Sequence, residues 1–100
     1  MTLGIILGSS LLQSTLFSQL EEDIIETTYG KVKFMKGKIQ DQNVVIIRRH
    51  QFDVQTDYIP PHKINYHAMI DAFKISGCKK IVALYEFSNC IDFIVIPLAL

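Results

Sequence analysis

The chain is a series of short apolar runs separated by turn residues. Several runs are apolar without a break over four or five positions, which is typical of strands buried on both faces of a sheet. Four β-branched residues in a row, from Val44 to Ile47, are the strongest example. We expect a bulge at Gly37 and a turn at residues 41–43. The pattern predicts five or six strands, with candidates at residues 3–7, 23–27, 32–39, 44–48, 81–84 and 93–96.

Clear helical periodicity occurs in one segment, residues 64–76. Asn65 is a candidate N-cap, because its side chain can accept a hydrogen bond from the first turn. Gly77 stands where a left-handed residue commonly ends a helix. The apolar face of this helix consists of Ile64, Ala68, Ala72 and Ile75.

Cover for the predicted sheet is scarce. Buried strands need cover on both faces of their sheet, and in α/β proteins helices provide it. One clear helix against five or six strands is too little, and the sequence stops on the apolar run 93–100. We therefore expect an incomplete α/β domain with the helix on one face and the other face poorly covered, so that the isolated chain aggregates. An edge strand tucked into its own sheet is the alternative explanation of residues 93–96.

Ten Lys and Arg residues balance ten Asp and Glu residues, so the formal net charge is zero. This balance argues against nucleic acid or an anionic membrane surface as a partner. No apolar run reaches membrane-spanning length. The lysines of one predicted strand are expected to form its solvent face; they are Lys31, Lys33, Lys36 and Lys38.

The two cysteines, Cys78 and Cys90, are too few for a disulfide framework, which favours a reduced, cytoplasmic protein. His62 and His67 are five positions apart across a loop-to-helix junction, with no Cys or carboxylate to complete a ligand set. No metal site is therefore expected.

Several segments, in order along the chain, resemble the N-terminal part of the purine nucleoside phosphorylase family, and in particular its 5′-methylthioadenosine phosphorylase type. The most specific is PPHKINYHA at residues 60–68, which is similar to the family's PPHKINYRAN. The other matching segments are GIILGSSL at residues 4–11, ETTYGK at 26–31, IIRRH at 46–50 and DFIVIP at 92–97.

The resemblance implies a mixed, twisted α/β sheet of the nucleoside phosphorylase type, incomplete here and with one main helix. Residues 1–100 would be the N-terminal portion of such a domain, because family members are more than twice as long and usually assemble as trimers. The implied reaction is phosphorolysis of a purine nucleoside to a free base and ribose 1-phosphate. Inorganic phosphate is then a co-substrate, and no further cofactor is implied.

Phosphorolysis needs hydroxyl and backbone N–H donors around a phosphate dianion. Gly8-Ser9-Ser10 follows the first predicted strand, and small residues let a backbone approach an anion closely. By resemblance, Ser9 falls on the family's phosphate-binding Ser or Thr. An ordinary strand-to-loop turn is the alternative.

Arg49 follows the predicted strand 44–48, at the strand end where α/β folds place ligands. Its planar guanidinium suits phosphate, and His50 adds a ring N–H donor. The resemblance implies that both residues contact phosphate. A surface arginine paired with Asp53 is the alternative, and Arg48 is assigned to solvent or to a structural ion pair. We expect Ser9, Arg49 and His50 to converge, because the ends of the first and fourth strands should be neighbours.

The chain departs from the family where small residues normally wrap phosphate and base. Tyr85 and Glu86 stand at two phosphate-contacting positions, and a carboxylate there would repel a phosphate dianion. Two interpretations remain. The chain is the N-terminal piece of a phosphorylase, inactive by itself and without a catalytic residue of its own, or a degenerate non-catalytic fragment that binds anions or a partner subunit.

Overall fold

The structure of the protein is a computed structural model that describes residues 2–7, 20–48, 64–87 and 90–98. For residues 85–87, 90 and 91 the description is of the backbone. All six candidate strands and the helix are confirmed, and the last two strands are longer than predicted. In chain order the elements are β1 (Thr2–Leu7), β2 (Glu21–Thr27), β3 (Gly30–Ile39), β4 (Gln42–Arg48), α1 (Tyr66–Ile75), β5 (Cys78–Phe87) and β6 (Cys90–Pro97).

The six strands form one mixed sheet in the order β2-β3-β4-β1-β5-β6. β1 runs parallel to both of its neighbours, β4 and β5. The other three pairs, β2 with β3, β3 with β4 and β5 with β6, are antiparallel. The mixed sheet predicted from the resemblance is therefore confirmed, with β1 as an interior strand.

The main core lies between α1 and one face of the sheet. Phe73 and Met69 of the helix are completely buried there, against Val32, Ile47 and Ile81 of the strands. Phe73 also explains why β1 has a glycine at position 4, because a methyl group there would lie only 2.7 Å from Phe73 Cδ1. Gly4 thus lets the helix approach the centre of the sheet closely.

The opposite face of the sheet has its own smaller core. Leu7 and Ile46 are completely buried there, and Val44 is 3% exposed. Leu20, which precedes β2, packs against this cluster and lies over Gly37, where a methyl group would be 2.6 Å from Leu20 Cδ2. The expectation of a poorly covered face is therefore wrong at the centre of the sheet.

Two local predictions on β3 are corrected. Residues 35–39 pair with β4 without a shift in register, so Gly37 forms no bulge. The following turn is made by Gln40 and Asp41, with φ of 49° and 69°, and Gln42 already belongs to β4. Two-residue hairpin loops favour positive φ because their twist then matches that of the strands.

The lysines of β3 do not share one solvent face. Successive side chains of a strand point to opposite faces of a sheet. Lys36 and Lys38 are in phase with the buried Val32, on the face covered by α1. Lys31 and Lys33 belong to the opposite face of the sheet, because Lys33 and Lys36 are three positions apart and an odd spacing changes the face.

Both predicted caps of α1 are confirmed. The Asn65 side chain accepts a hydrogen bond from the Ala68 N–H at 3.1 Å through Oδ1. Its Nδ2 donates to the Tyr29 carbonyl oxygen at 3.1 Å, so the same residue ties the β2–β3 turn to the helix. Gly77, with φ of 86°, follows the helix and donates its N–H to the Lys74 carbonyl oxygen.

The double role of Asn65 can be separated by substitution. Asn65→Ala removes both hydrogen bonds and is expected to lower the free energy of unfolding by about 1–2 kcal/mol. Asn65→Ser keeps a side-chain acceptor suited to the N-cap but is too short to donate to the Tyr29 carbonyl oxygen, so its loss should be smaller. Urea denaturation of both variants at low protein concentration measures the difference. Equal losses would contradict the capping role.

Candidate functional site

Three parallel strands, β4, β1 and β5, end at one edge of the sheet, which we call the carboxyl edge. Leu7 at the end of β1 is the register partner of Arg48 at the end of β4. On the other side, Ile6 pairs with Ala83 of β5. In open α/β sheets, ligands bind outside the carboxyl ends of such strands. The carboxyl edge is therefore the candidate functional site.

The three predicted phosphate ligands, Ser9, Arg49 and His50, lie outside the described residues. Their anchoring strands are described. β1 ends two residues before Ser9, and β4 ends at the residue before Arg49. The premise that the ends of the first and fourth strands are neighbours is thus confirmed, whereas the convergence of the three side chains stays a prediction.

The two departures from the family motif also lie at the carboxyl edge. Tyr85 and Glu86 are strand residues of β5, paired with Asp92 and Ile91 of β6. They come two and three positions after Ala83, the partner of Ile6. The register therefore places Glu86 on β5 two positions beyond the level of Leu7, where β1 ends.

Arg48 is in an ion pair, one of the two alternatives that the sequence left open. Its Nη2 lies 3.4 Å from Glu22 Oε2, and its side chain is 23% exposed. Leu7, its register partner, is completely buried on the face opposite α1. Because exposed ion pairs contribute little to stability, this pair is expected to add little to the free energy of unfolding.

The two groups with shifted pKa values lie elsewhere. The backbone N–H of Ile24 donates to Asp23 at 2.8 Å and holds the pKa of that carboxyl below its usual 3.8, with a further contribution from Lys36 Nζ at 3.0 Å. Burial raises the pKa of the Cys78 thiol. Asp23 lies on the edge strand β2 and Cys78 at the start of β5, so neither belongs to the carboxyl edge.

Two cavities in the described residues were not anticipated from the sequence. One, of about 650 Å³, lies at the amino ends of β1 and β4, beside Thr2, Asn43 and Lys38. The other, of about 300 Å³, lies between α1 and the β2–β3 turn, where the rings of Tyr29 and His67 are 5.2 Å apart. Neither touches a described residue of the carboxyl edge. Within the described segments, no group of three His, Cys, Asp or Glu residues could hold a metal ion.

No protein-family model matches the chain. Individual curated proteins do match. The probable 6-oxopurine nucleoside phosphorylase of Thermococcus kodakarensis is 35% identical over 81 residues, which cover 81% of this chain and 29% of that protein. The S-methyl-5′-thioadenosine phosphorylase of Saccharolobus solfataricus is 36% identical, with 83% of this chain and 30% of that protein covered.

A solved structure matches the fold as well. Methylthioadenosine phosphorylase from Schistosoma mansoni in complex with adenine superposes with a TM-score of 0.68 and 32% identity, over 82% of this chain and 29% of that one. Sequence and fold are thus both similar to phosphorylases of this class. The resemblance to the N-terminal part of the purine nucleoside phosphorylase family is confirmed, and the chain spans about 30% of the length of these relatives.

No helix in the described segments combines the length and apolarity needed to cross a lipid bilayer.

The convergence of the predicted ligands can be tested by crosslinking. In a Ser9→Cys/His50→Cys double variant, a short bismaleimide should join the two new thiols, because β1 and β4 end side by side. The matched control is Ser9→Cys/Asn43→Cys. Asn43 pairs with Thr2 at the other end of β1, roughly 17 Å from the carboxyl edge, and should not crosslink. Mass spectrometry identifies the linked peptides, and equal yields in the two variants would contradict convergence.

Proposed function

We propose that this chain provides the phosphate-binding side of a purine nucleoside phosphorylase site at the carboxyl edge. The proposal is supported above all by the parallel register of Leu7 with Arg48. In this register, Ser9 and the pair Arg49-His50 follow the ends of adjacent strands in the sequence. The similarity to phosphorylases of purine nucleosides supports phosphate as the ligand of this site.

The proposed ligands suit a phosphate dianion. The guanidinium of Arg49 can donate two parallel hydrogen bonds, which neutralise charge and fix the orientation of the anion. Ser9 would contribute a hydroxyl donor and nearby backbone N–H groups, and His50 a ring N–H. A phosphate held in this way can attack the C1′ carbon of a nucleoside as the bond to the purine breaks.

The proposed substrate class is a purine nucleoside, with inorganic phosphate as co-substrate and no other cofactor. Relatives are named for 6-oxopurine nucleosides, S-methyl-5′-thioadenosine and S-methyl-5′-thioinosine, which share a purine joined to a ribosyl group. A cytoplasmic location and assembly into a trimer, both expected at the sequence level, belong to the same proposal.

We propose further that the 100-residue chain does not catalyse the reaction by itself. It spans about 30% of its relatives, and Glu86 belongs to the strand end where phosphate would bind. A carboxylate near a phosphate dianion raises the energy of the bound anion. The chain would therefore bind phosphate weakly and depend on further residues for the purine and ribose.

Phosphate binding tests the site directly. Phosphorus NMR titration of the chain should show weak binding that Arg49→Ala reduces at least ~10-fold, as expected for the loss of charged hydrogen bonds. Arg48→Ala is the matched control, since Arg48 pairs with Glu22, and it should change affinity less than ~2-fold. Equal effects of the two substitutions would remove the support for the proposed site.

Catalysis by the chain alone is expected to be absent. Incubation with phosphate and methylthioadenosine or inosine should release no adenine or hypoxanthine, measured by chromatography. Replacing Tyr85 and Glu86 by Ser and Ala should not restore activity, because catalytic groups that act as a unit do not contribute additively. Phosphate-dependent release of base that Arg49→Ala abolishes would show that the chain is a complete catalyst.

A further inference from the structure

Two arginines are adjacent at the end of β4, and the proposed phosphate site uses only the second. Arg48 is the last residue of the strand, and Arg49 follows it. Arg48 is the register partner of Leu7, which ends β1 two residues before Ser9. A second guanidinium is therefore attached to the backbone beside the proposed site. Because guanidinium groups bind phosphate oxygens well, the direction of the Arg48 side chain decides whether it takes part.

The Arg48 side chain extends away from that site. Its Nη2 lies 3.4 Å from Oε2 of Glu22, a residue of β2. The sheet order β2-β3-β4-β1 places β2 and β1 on opposite sides of β4. To reach Glu22, the side chain passes over β3 and leaves the side of β4 on which β1 ends.

The strand register shows that the Arg48 side chain also turns back from the carboxyl edge. Glu22 pairs with Met35, and Met35 pairs with Ile46. Glu22 therefore lies level with Ile46, two positions before Arg48. Met35 and Ile46 belong to the small core opposite α1, so the ion pair lies on that face of the sheet. The guanidinium is displaced from the carboxyl edge both sideways and backwards.

We infer that Glu22 withholds Arg48 from the anion and so limits the proposed site to the single guanidinium of Arg49. The inference rests on the proposed function, which supplies the anion. Without the carboxylate of Glu22, the guanidinium of Arg48 is free to turn towards the carboxyl edge. Because exposed ion pairs are weak, the affinity that Glu22 withholds is at most about 5-fold.

Phosphorus NMR titration of the full chain with inorganic phosphate tests this role. Glu22→Gln removes the charge of the carboxylate with little change in shape, and it should raise the phosphate affinity about 3-fold. The double variant Glu22→Gln/Arg48→Ala should lose this gain, because the gain comes from the released guanidinium. Loss of a merely structural contact would lower the affinity, so the direction of the change separates the two roles.

The matched control is Asp23→Asn. Asp23 is the next residue of β2 and also forms an ion pair, with Lys36 at 3.0 Å. It pairs in register with Phe34 of the main core and thus belongs to the face covered by α1. Asp23→Asn removes the same charge from the same strand but releases no guanidinium. At physiological ionic strength it should change the phosphate affinity less than ~1.5-fold, because salt screens distant charges.

Chemical modification of Arg48 gives a second measurement. Phenylglyoxal, which reacts with accessible guanidinium groups, should modify Arg48 faster in Glu22→Gln than in the unsubstituted chain. Inorganic phosphate should protect Arg48 in that variant and leave its modification unchanged in the unsubstituted chain. Mass spectrometry of the peptides identifies the modified arginine.

The inference is overturned if Glu22→Gln does not raise phosphate affinity, if the gain survives Arg48→Ala, or if Asp23→Asn gives the same gain. Arg49→Ala separates it from the proposed function. Binding that Arg49→Ala weakens, without a gain in Glu22→Gln, supports the proposed site and contradicts the role of Glu22. A gain that needs Arg48 but not Arg49 supports the role of Glu22 and contradicts the proposed site. Absence of phosphate binding in every variant contradicts both.

Discussion

Parallel pairing of β1 with β4 on one side and β5 on the other is the constraint on which the rest of the molecule depends. It makes β1 an interior strand and aligns three carboxyl ends at one edge of the sheet. Parallel sheets are stable only when both faces are covered. β1 meets this requirement, because Ile6 is buried in the core on one face of the sheet and Leu7 in the core on the other.

Contacts between α1 and the β2–β3 turn hold the helix in place on the sheet. The Thr28 N–H donates to Asp71 Oδ2 at 3.4 Å, and Asn65 binds the Tyr29 carbonyl oxygen. The ring of His67 packs against the ring of Tyr29. Because the turn is joined to β3, these contacts fix the position of α1 relative to an antiparallel hairpin as well as to the parallel strands.

The two ends of the sheet differ in how they meet water. β2 has acidic residues along its exposed length, and Asp23 forms an ion pair with Lys36 at 3.0 Å. β6 has large apolar residues on both faces instead. A charged edge resists pairing with other chains, whereas an apolar edge favours association. The two ends of the described sheet therefore differ in charge and in exposed apolar surface.

The sequence by itself determined the elements, because local patterns suffice for them. The β-branched run from Val44 to Ile47 predicted a strand buried on both faces, and Asn65 and Gly77 predicted the two ends of the helix. The motif around residues 60–68 predicted the family. Each of these depends on neighbours in the chain, so no knowledge of distant residues was needed.

Apart from the neighbouring first and fourth strands, only the tertiary structure decided which strands pair and what covers them. Leu20 lies over Gly37 on the face of the sheet for which the sequence predicted no covering helix. The unbroken register between β3 and β4 at Gly37 excludes the predicted bulge. The partner of Arg48 is Glu22, which is 26 residues away in sequence. The exposure of β6 was equally undecided, since the same apolar run is compatible with an interior strand or an edge strand. Strand pairing and the identity of the covering residues depend on parts of the chain that are distant in sequence, so local patterns could not decide them.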